Sequence, residues 1–255
     1  MHSESKFISI IENYPSSANF KEVDTGKYVV ANRKFARSVG ACEPNDLLGL
    51  TVRDLPGIAA QANATPWQEK QVAEHKQKVL KLAQLDFLVQ EEKKTIQSNF
   101  VFCDAQRGDV RYEQVVKLPI FDQMKHVIGI ATYQNDMAPT LSLNDIYDLN
   151  RRFHDVPEAI RRVLDYIGVT QYFTTHPTEA PFRIFLAKAE RHSSKAIARN
   201  LGISNRTVEY QLDALRNRVT DGDLRRVFAL VRRKTNNEFD QSNGPGTHGS
   251  RPTSA

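Results

Sequence analysis

The side chains best placed to do chemistry lie between Ser193 and Arg218, where hydroxyls, cations and a tyrosine recur at helical spacing. Lys195, Arg199, Arg206, Arg216 and Arg218 are donors suited to phosphate oxygens, and Ser194 and Thr207 add hydroxyls. These types support an electrostatic grip on a polyanion rather than bond making. The charge balance points the same way. The chain carries 35 Lys and Arg against 30 Asp and Glu, a net +5. Residues 176–235 alone hold 13 Lys and Arg against 6 Asp and Glu, a balance of +7, and the remainder stands at −2. An excess confined to one segment is the footprint of a phosphate-binding module. A solvated helical surface would share that composition, so position has to decide between them.

Bond-making chemistry finds little support. The sequence contains no P-loop, nucleophile elbow, HExxH motif or carboxylate constellation, and no enzymatic activity or metal site is expected. Its two cysteines, Cys42 and Cys103, lack CxxC or metal-ligand neighbours and read as reduced thiols. No stretch approaches the roughly 20 apolar residues that a membrane span needs. The polar start Met1–Lys6 meets no long apolar run, so no secretory leader is expected and a cytoplasmic location follows.

Two short helices have to position the basic residues. Ile197, Ala198 and Leu201 form the inner face of the first, which Ser193 or Ser194 can cap. Gly202 supplies the permissive backbone of a tight turn. Ser204 then caps a second helix whose buried face is Val208, Leu212, Leu215 and Val219. Phe182, Phe185, Leu186 and Ala189 give a preceding helix the same kind of face, and Leu224, Val227, Phe228 and Val231 a following one. Small Ala198 allows the central helices to approach closely.

The run from Ser193 to Val208 closely resembles the LuxR/FixJ-type four-helix module, with its pattern S-x-K-x-I-A-x-x-L-G-I-S-x-x-T-V, over roughly 178–233. That resemblance implies a helix-turn-helix on double-stranded DNA. Arg206 and Thr207 would open the recognition helix and meet phosphates, while Glu209, Tyr210 and Asp213 would read base edges in the major groove. Ser194, Lys195, Arg199, Arg216 and Arg218 would contact the backbone. The family often has a basic residue where this chain has Glu209 and Asp213. Acidic groups there can accept from cytosine amino groups but repel phosphates.

Upstream, residues 17–136 read as mixed α/β. Strand-like runs occur at Ala18–Val23, Lys27–Val30, Thr95–Phe102, Val110–Leu118 and His126–Tyr133. Asp24-Thr25-Gly26 marks a hairpin turn between the first two. Short helical segments follow, then a longer one from about Pro66 to Val89 with Trp67, Val72, Val79, Leu82 and Leu85 on one face. This order accompanies local likenesses. Asp24–Asn32 resembles the start of a PAS domain, Leu47–Thr51 with Asp54-Leu55 its next segment, and Lys117–Ile120 with Val127–Ile130 its closing strands. The resemblance implies a five-stranded antiparallel sheet flanked by helices that senses a signal or mediates dimerisation.

A small organic ligand, or a protein partner alone, is the expected signal. No cofactor is expected. His75, where a haem ligand could sit, lies between Glu74 and Lys76 on a solvated-looking face. Neither cysteine lies in the motif of a flavin photosensor of the LOV kind. His154-Asp155 faintly resembles a histidine-kinase phosphoacceptor box, but no ATP-binding boxes follow.

Residues 138–175 change character again. Ile146, Leu149, Phe153, Val156, Ile160, Val163 and Ile167 recur at steps of three and four, as in a coiled-coil seam or an amphipathic helix lying on its own domain. Pro157 implies a kink or two helices, with Asp155 as a cap for the second.

The expected fold is therefore α+β: an N-terminal segment (1–16), a PAS sensor domain (17–137), a helical linker (138–175), an all-α helix-turn-helix domain (176–235) and a disordered tail (236–255). The expected function is that of a dimeric, sequence-specific DNA-binding transcription regulator. A PAS adaptor acting only through protein contacts is the alternative.

Overall fold

Segments rich in β-branched and aromatic residues pair into one antiparallel sheet, and what covers its two faces is set by which of their side chains are apolar. The computed structural model describes residues 2–62, 69–103 and 109–242, with side chains over 5–58, 76–103 and 109–234. The chain divides into two compact units, Met1–Met137 and Ala138–Ala255.

The first unit opens with α1 (His2–Glu12), then β1 (Ser17–Glu22) and β2 (Tyr28–Ala31). Helices α2 (Arg33–Ser38), α3 (Leu55–Ala62) and α4 (Glu69–Glu92) follow, and then β3 (Ile96–Cys103), β4 (Val110–Phe121) and β5 (Val127–Asp136). The strand order is β2-β1-β5-β4-β3, with every pairing antiparallel. Gly26, at φ +66°, makes the β1–β2 turn. Tyr28, Phe35, Leu47, Leu55, Leu82, Leu85, Phe100 and Val115 form a core between the sheet and α2–α4.

The opposite face is covered as well. Ile11 of α1 packs with Ala18, Val30 and Ala131, beside Phe7, Phe20 and Tyr133. The N-terminal segment thus carries a helix, α1, that belongs to the sheet, because Phe7 and Ile11 need an apolar seat. Gly129 is required here by space, since a Cβ would lie 2.2 Å from the Phe20 ring. Buried Asn32 ties the unit together. Its Oδ1 accepts from the amides of Phe35 (2.9 Å) and Ala18 (3.1 Å), and its Nδ2 donates to the Ser16 carbonyl (2.6 Å). It therefore caps α2 while pinning β1.

The second unit is all helical: α5 (Leu143–Arg151), α6 (Val156–Tyr166), α7 (Glu179–Ala189), α8 (Ser194–Leu201), α9 (Asn205–Arg216) and α10 (Leu224–Ser242). Pro157 stands in the first turn of α6 and the Asp155 side chain accepts from the Glu158 amide (2.9 Å), so the proline separates two helices. The seam residues do not form a free stripe. Ile146, Ile160, Val163 and Ile167 share one buried cluster with Phe182, Phe185, Leu212 and Val227. Phe185 stacks on Phe228 and meets Phe173 edge-on. α10 continues to Ser242, past the last apolar position of its pattern, while 243–255 lie outside the described residues.

Among the described residues, no helix is long and apolar enough to cross a membrane, and no group of three or more His, Cys, Asp or Glu side chains could hold a metal ion.

Candidate nucleic-acid interface

The local sequence sets the geometry of α8 and α9 almost residue by residue. Ser193 caps α8, its Oγ accepting from the Ala196 amide (3.2 Å), which leaves Ser194 as the first helical residue. Gly202 ends the helix in the left-handed region at φ +66°, and Ile203 donates its amide to the Ala198 carbonyl (3.0 Å). Ser204 restarts the chain as a helix, its Oγ accepting from the Thr207 amide (3.0 Å). Val208, Leu212 and Leu215 then bury one side of α9, which packs on α7 and α8. Leu201, expected on the inner face of α8, is 41% exposed. It sits in the last turn, where Ile203 fills the core position instead.

Burying Val208, Leu212 and Leu215 dictates what α9 shows to solvent. Arg206, Glu209, Tyr210, Asp213 and Arg216 are all exposed and recur at steps of three and four, so they share one face. Tyr210 stands in the middle of it, 70% exposed. Asp213 pairs with Arg216. Thr207 is half-buried, and its hydroxyl lies 2.8 Å from that of Ser204, inside the cap. On α8, Lys195 and Arg199 are exposed and four residues apart, while Ser194 accepts from Lys188 Nζ (3.1 Å).

Arg218 is set apart from the α9 face. Its Nη1 donates to the His176 carbonyl (2.8 Å), its own carbonyl accepts from the Thr174 amide (2.8 Å), and Phe173 bridges Val219 beside it. This ties the end of α9 to the approach to α7. The exposed face of α9 thus has a mixed-charge centre, with the cations Lys195 and Arg199 on neighbouring α8.

The first unit holds a second polar set that the residue pattern did not reveal. Lys117 faces Thr132 and Thr132 faces Asn19 in neighbouring strands, and all three are buried on the helix side of the sheet, as is Lys21. Asp86 of α4 bonds both Lys117 and Lys21. Burial, with Lys21 close by, pulls the Lys117 ammonium down to about 8 despite Asp86. Burial raises the Asp86 carboxyl, yet the two lysines outweigh it and hold it below its usual range. Asn19 Oδ1 and Thr132 Oγ1 are buried with no hydrogen-bond partner among the described residues. Nearby, Lys34, Arg37, Phe102, Arg111 and Gln134 line a cleft of about 340 Å3. His75, the candidate haem ligand, has its side chain outside the described residues.

No family model matches the chain, and no match was found among curated proteins. Solved structures do resemble it. A complex of Vibrio cholera VqmA with ligand and DNA is 18% identical, covers 91% of this chain and 89% of that one, and superposes with a TM-score of 0.46. The phage VqmA–DPO complex is also 18% identical, covering 91% and 88% of the two chains with a TM-score of 0.42. The PAS domain of Bordetella pertussis BvgS is 15% identical, covers 60% of this chain and 99% of that one, and has a TM-score of 0.41.

Proposed function

We propose that this chain is a sequence-specific, cytoplasmic transcription regulator that binds duplex DNA through α8 and α9. In this reading the first unit senses a small molecule or partner protein, or mediates dimerisation. The observation that carries it is the pair of serine-capped helices joined at left-handed Gly202, which leaves one face of α9 polar, exposed and flanked by cations.

On DNA, Arg206 and the first amides of α9 meet phosphates, and Lys195 and Arg199 hold the backbone beside them. Glu209 and Tyr210 reach base edges, where a carboxylate accepts from cytosine and a ring can touch a thymine methyl. Asp213 steadies Arg216. Thr207 acts mainly through the cap it shares with Ser204, the Ser194 hydroxyl holds Lys188, and Arg218 offers a phosphate only the part of its guanidinium that His176 leaves over. Two copies would place two recognition helices on half-sites about one helical turn apart, and a signal would act by changing that geometry. The unpartnered Asn19 Oδ1 and Thr132 Oγ1 support a small polar signal molecule at the inner face of the sheet.

Selection from a pool of duplexes, followed by titration of Arg206→Ala on selected and scrambled sites, tests the reading. The substitution should weaken binding to both by a similar factor, as loss of a phosphate contact does. Tyr210→Ala should instead narrow the gap between selected and scrambled sites. A protein that enriches no duplex would rule the reading out and favour an adaptor working through protein contacts.

A further inference from the structure

We infer that α4 is a self-pairing helix, built to meet α4 of a second copy of this chain in antiparallel fashion. The helix has two apolar stripes on opposite sides. Val79, Leu82, Leu85 and Val89 face the sheet and are buried or half-buried. On the solvent side, Leu80 is 64% exposed and Phe87 60%, and with Ala83, Gln84 and Leu88 they form an open patch on the helix surface. Lys76, Leu80, Ala83 and Phe87 are separated by four, three and four residues, the spacing of a coiled-coil seam. A helix that spends one apolar face on its own core has no internal use for a second.

The charges on that outer stripe name the occupant. Lys76 stands at its first end and Glu91 at its last, both exposed, and no ion pair involves either among the described residues. Among the described side chains of the helix, the other charged groups are already engaged: Lys78 with Glu113, Lys81 over the Phe100 ring, Asp86 with the buried lysines and Glu92 with Lys94. In an antiparallel pair with Ala83 and Gln84 at the two-fold axis, Leu80 meets Phe87 of the second copy and Phe87 meets its Leu80. In the same register Lys76 meets Glu91 of the second copy at both ends. One surface is thereby its own complement, as an isologous two-fold contact requires. A parallel arrangement would set Lys76 against Lys76 and Glu91 against Glu91. An unrelated apolar partner would leave both charges unanswered.

Sedimentation equilibrium of the full chain, without DNA, tests the pairing separately from duplex binding, so either reading can fail alone. The wild type should dimerise in a concentration-dependent way, and Phe87→Glu should leave a monomer with an unchanged circular dichroism spectrum. Lys76→Glu and Glu91→Lys should each weaken the dimer by roughly threefold to fivefold, the range of exposed ion pairs. The double reversal should restore it to within about twofold, because a rebuilt pair regains what each single change lost. These surface charges leave folding intact whatever Phe87→Glu does. A wild type that stays monomeric at all concentrations would overturn the inference. So would a dimer indifferent to Phe87→Glu, or one that the double reversal fails to rescue.

Discussion

Two carboxylate–cation sets in this molecule use similar groups in opposite surroundings. Asp86 meets Lys117 and Lys21 beneath α4, where the lysine side chains are 2% and 6% exposed. Asp213 meets Arg216 on the open face of α9, where both are more than half exposed. In the first set every charge has lost most of its water and depends on its partner, so the set fixes the way α4 sits on the sheet. In the second, water competes for each charge and the pair contributes little to folding. A group that folding does not need is free to serve recognition. That contrast is why the candidate reading surface lies on α9, whereas the buried lysines belong to the architecture of the first unit.

The hardest blow to the comparison would come at Asp86. Asp86→Asn leaves two buried ammonium groups without an anion and should cost about 3–5 kcal/mol in urea unfolding. A loss below about 1 kcal/mol would mean the buried set is no more demanding than a surface pair. The pH dependence sharpens the same point. With the Lys117 pKa pulled down to about 8, the unfolded chain holds more protons than the folded one between that value and the ordinary 10.5. The penalty for burying the ammonium is therefore fully present below about 8, and stability should rise as pH climbs through this window. In Lys117→Met that rise should disappear when urea midpoints at pH 8 and pH 10 are compared.

Smaller effects belong to the second unit. Ser204→Ala removes the α9 cap and should cost about 1 kcal/mol, read from the thermal midpoint. Asp213→Asn should change stability by less than about 0.5 kcal/mol. The same substitution should nonetheless tighten DNA binding at low salt, because a negative charge facing phosphates is gone and Arg216 is released. Weaker binding by Asp213→Asn would show that Asp213 reads a base instead.

Much of this was legible in the chain because its signals are local. Serine caps at Ser193 and Ser204, the left-handed turn at Gly202 and the apolar spacing through Val231 depend on neighbours a few residues away. The five strands were readable for the same reason. The rest depends on what covers each face. Asn19 and Lys21 alternate with Ala18 and Phe20, which reads as a polar solvent face, but α1 covers the Ala18 side and α2–α4 the other. Nothing within the β1 sequence announces two covers. The seam from Ile146 to Ile167 has coiled-coil spacing, yet its partners are Phe182, Phe185 and their neighbours, which lie too far along the chain for periodicity to identify. Asp86 carried no signal either, standing as one charge amid the apolar stripe of α4.

The most direct test is a titration of purified protein with duplex DNA across a salt series. If the exposed face of α9 and its cationic flanks grip a phosphate backbone, the logarithm of affinity should fall linearly with the logarithm of salt, with a slope near −0.9 for each phosphate neutralised. Arg206→Ala should make that slope shallower by about one. Affinity that is absent at low salt, or that ignores both salt and Arg206, would contradict the account.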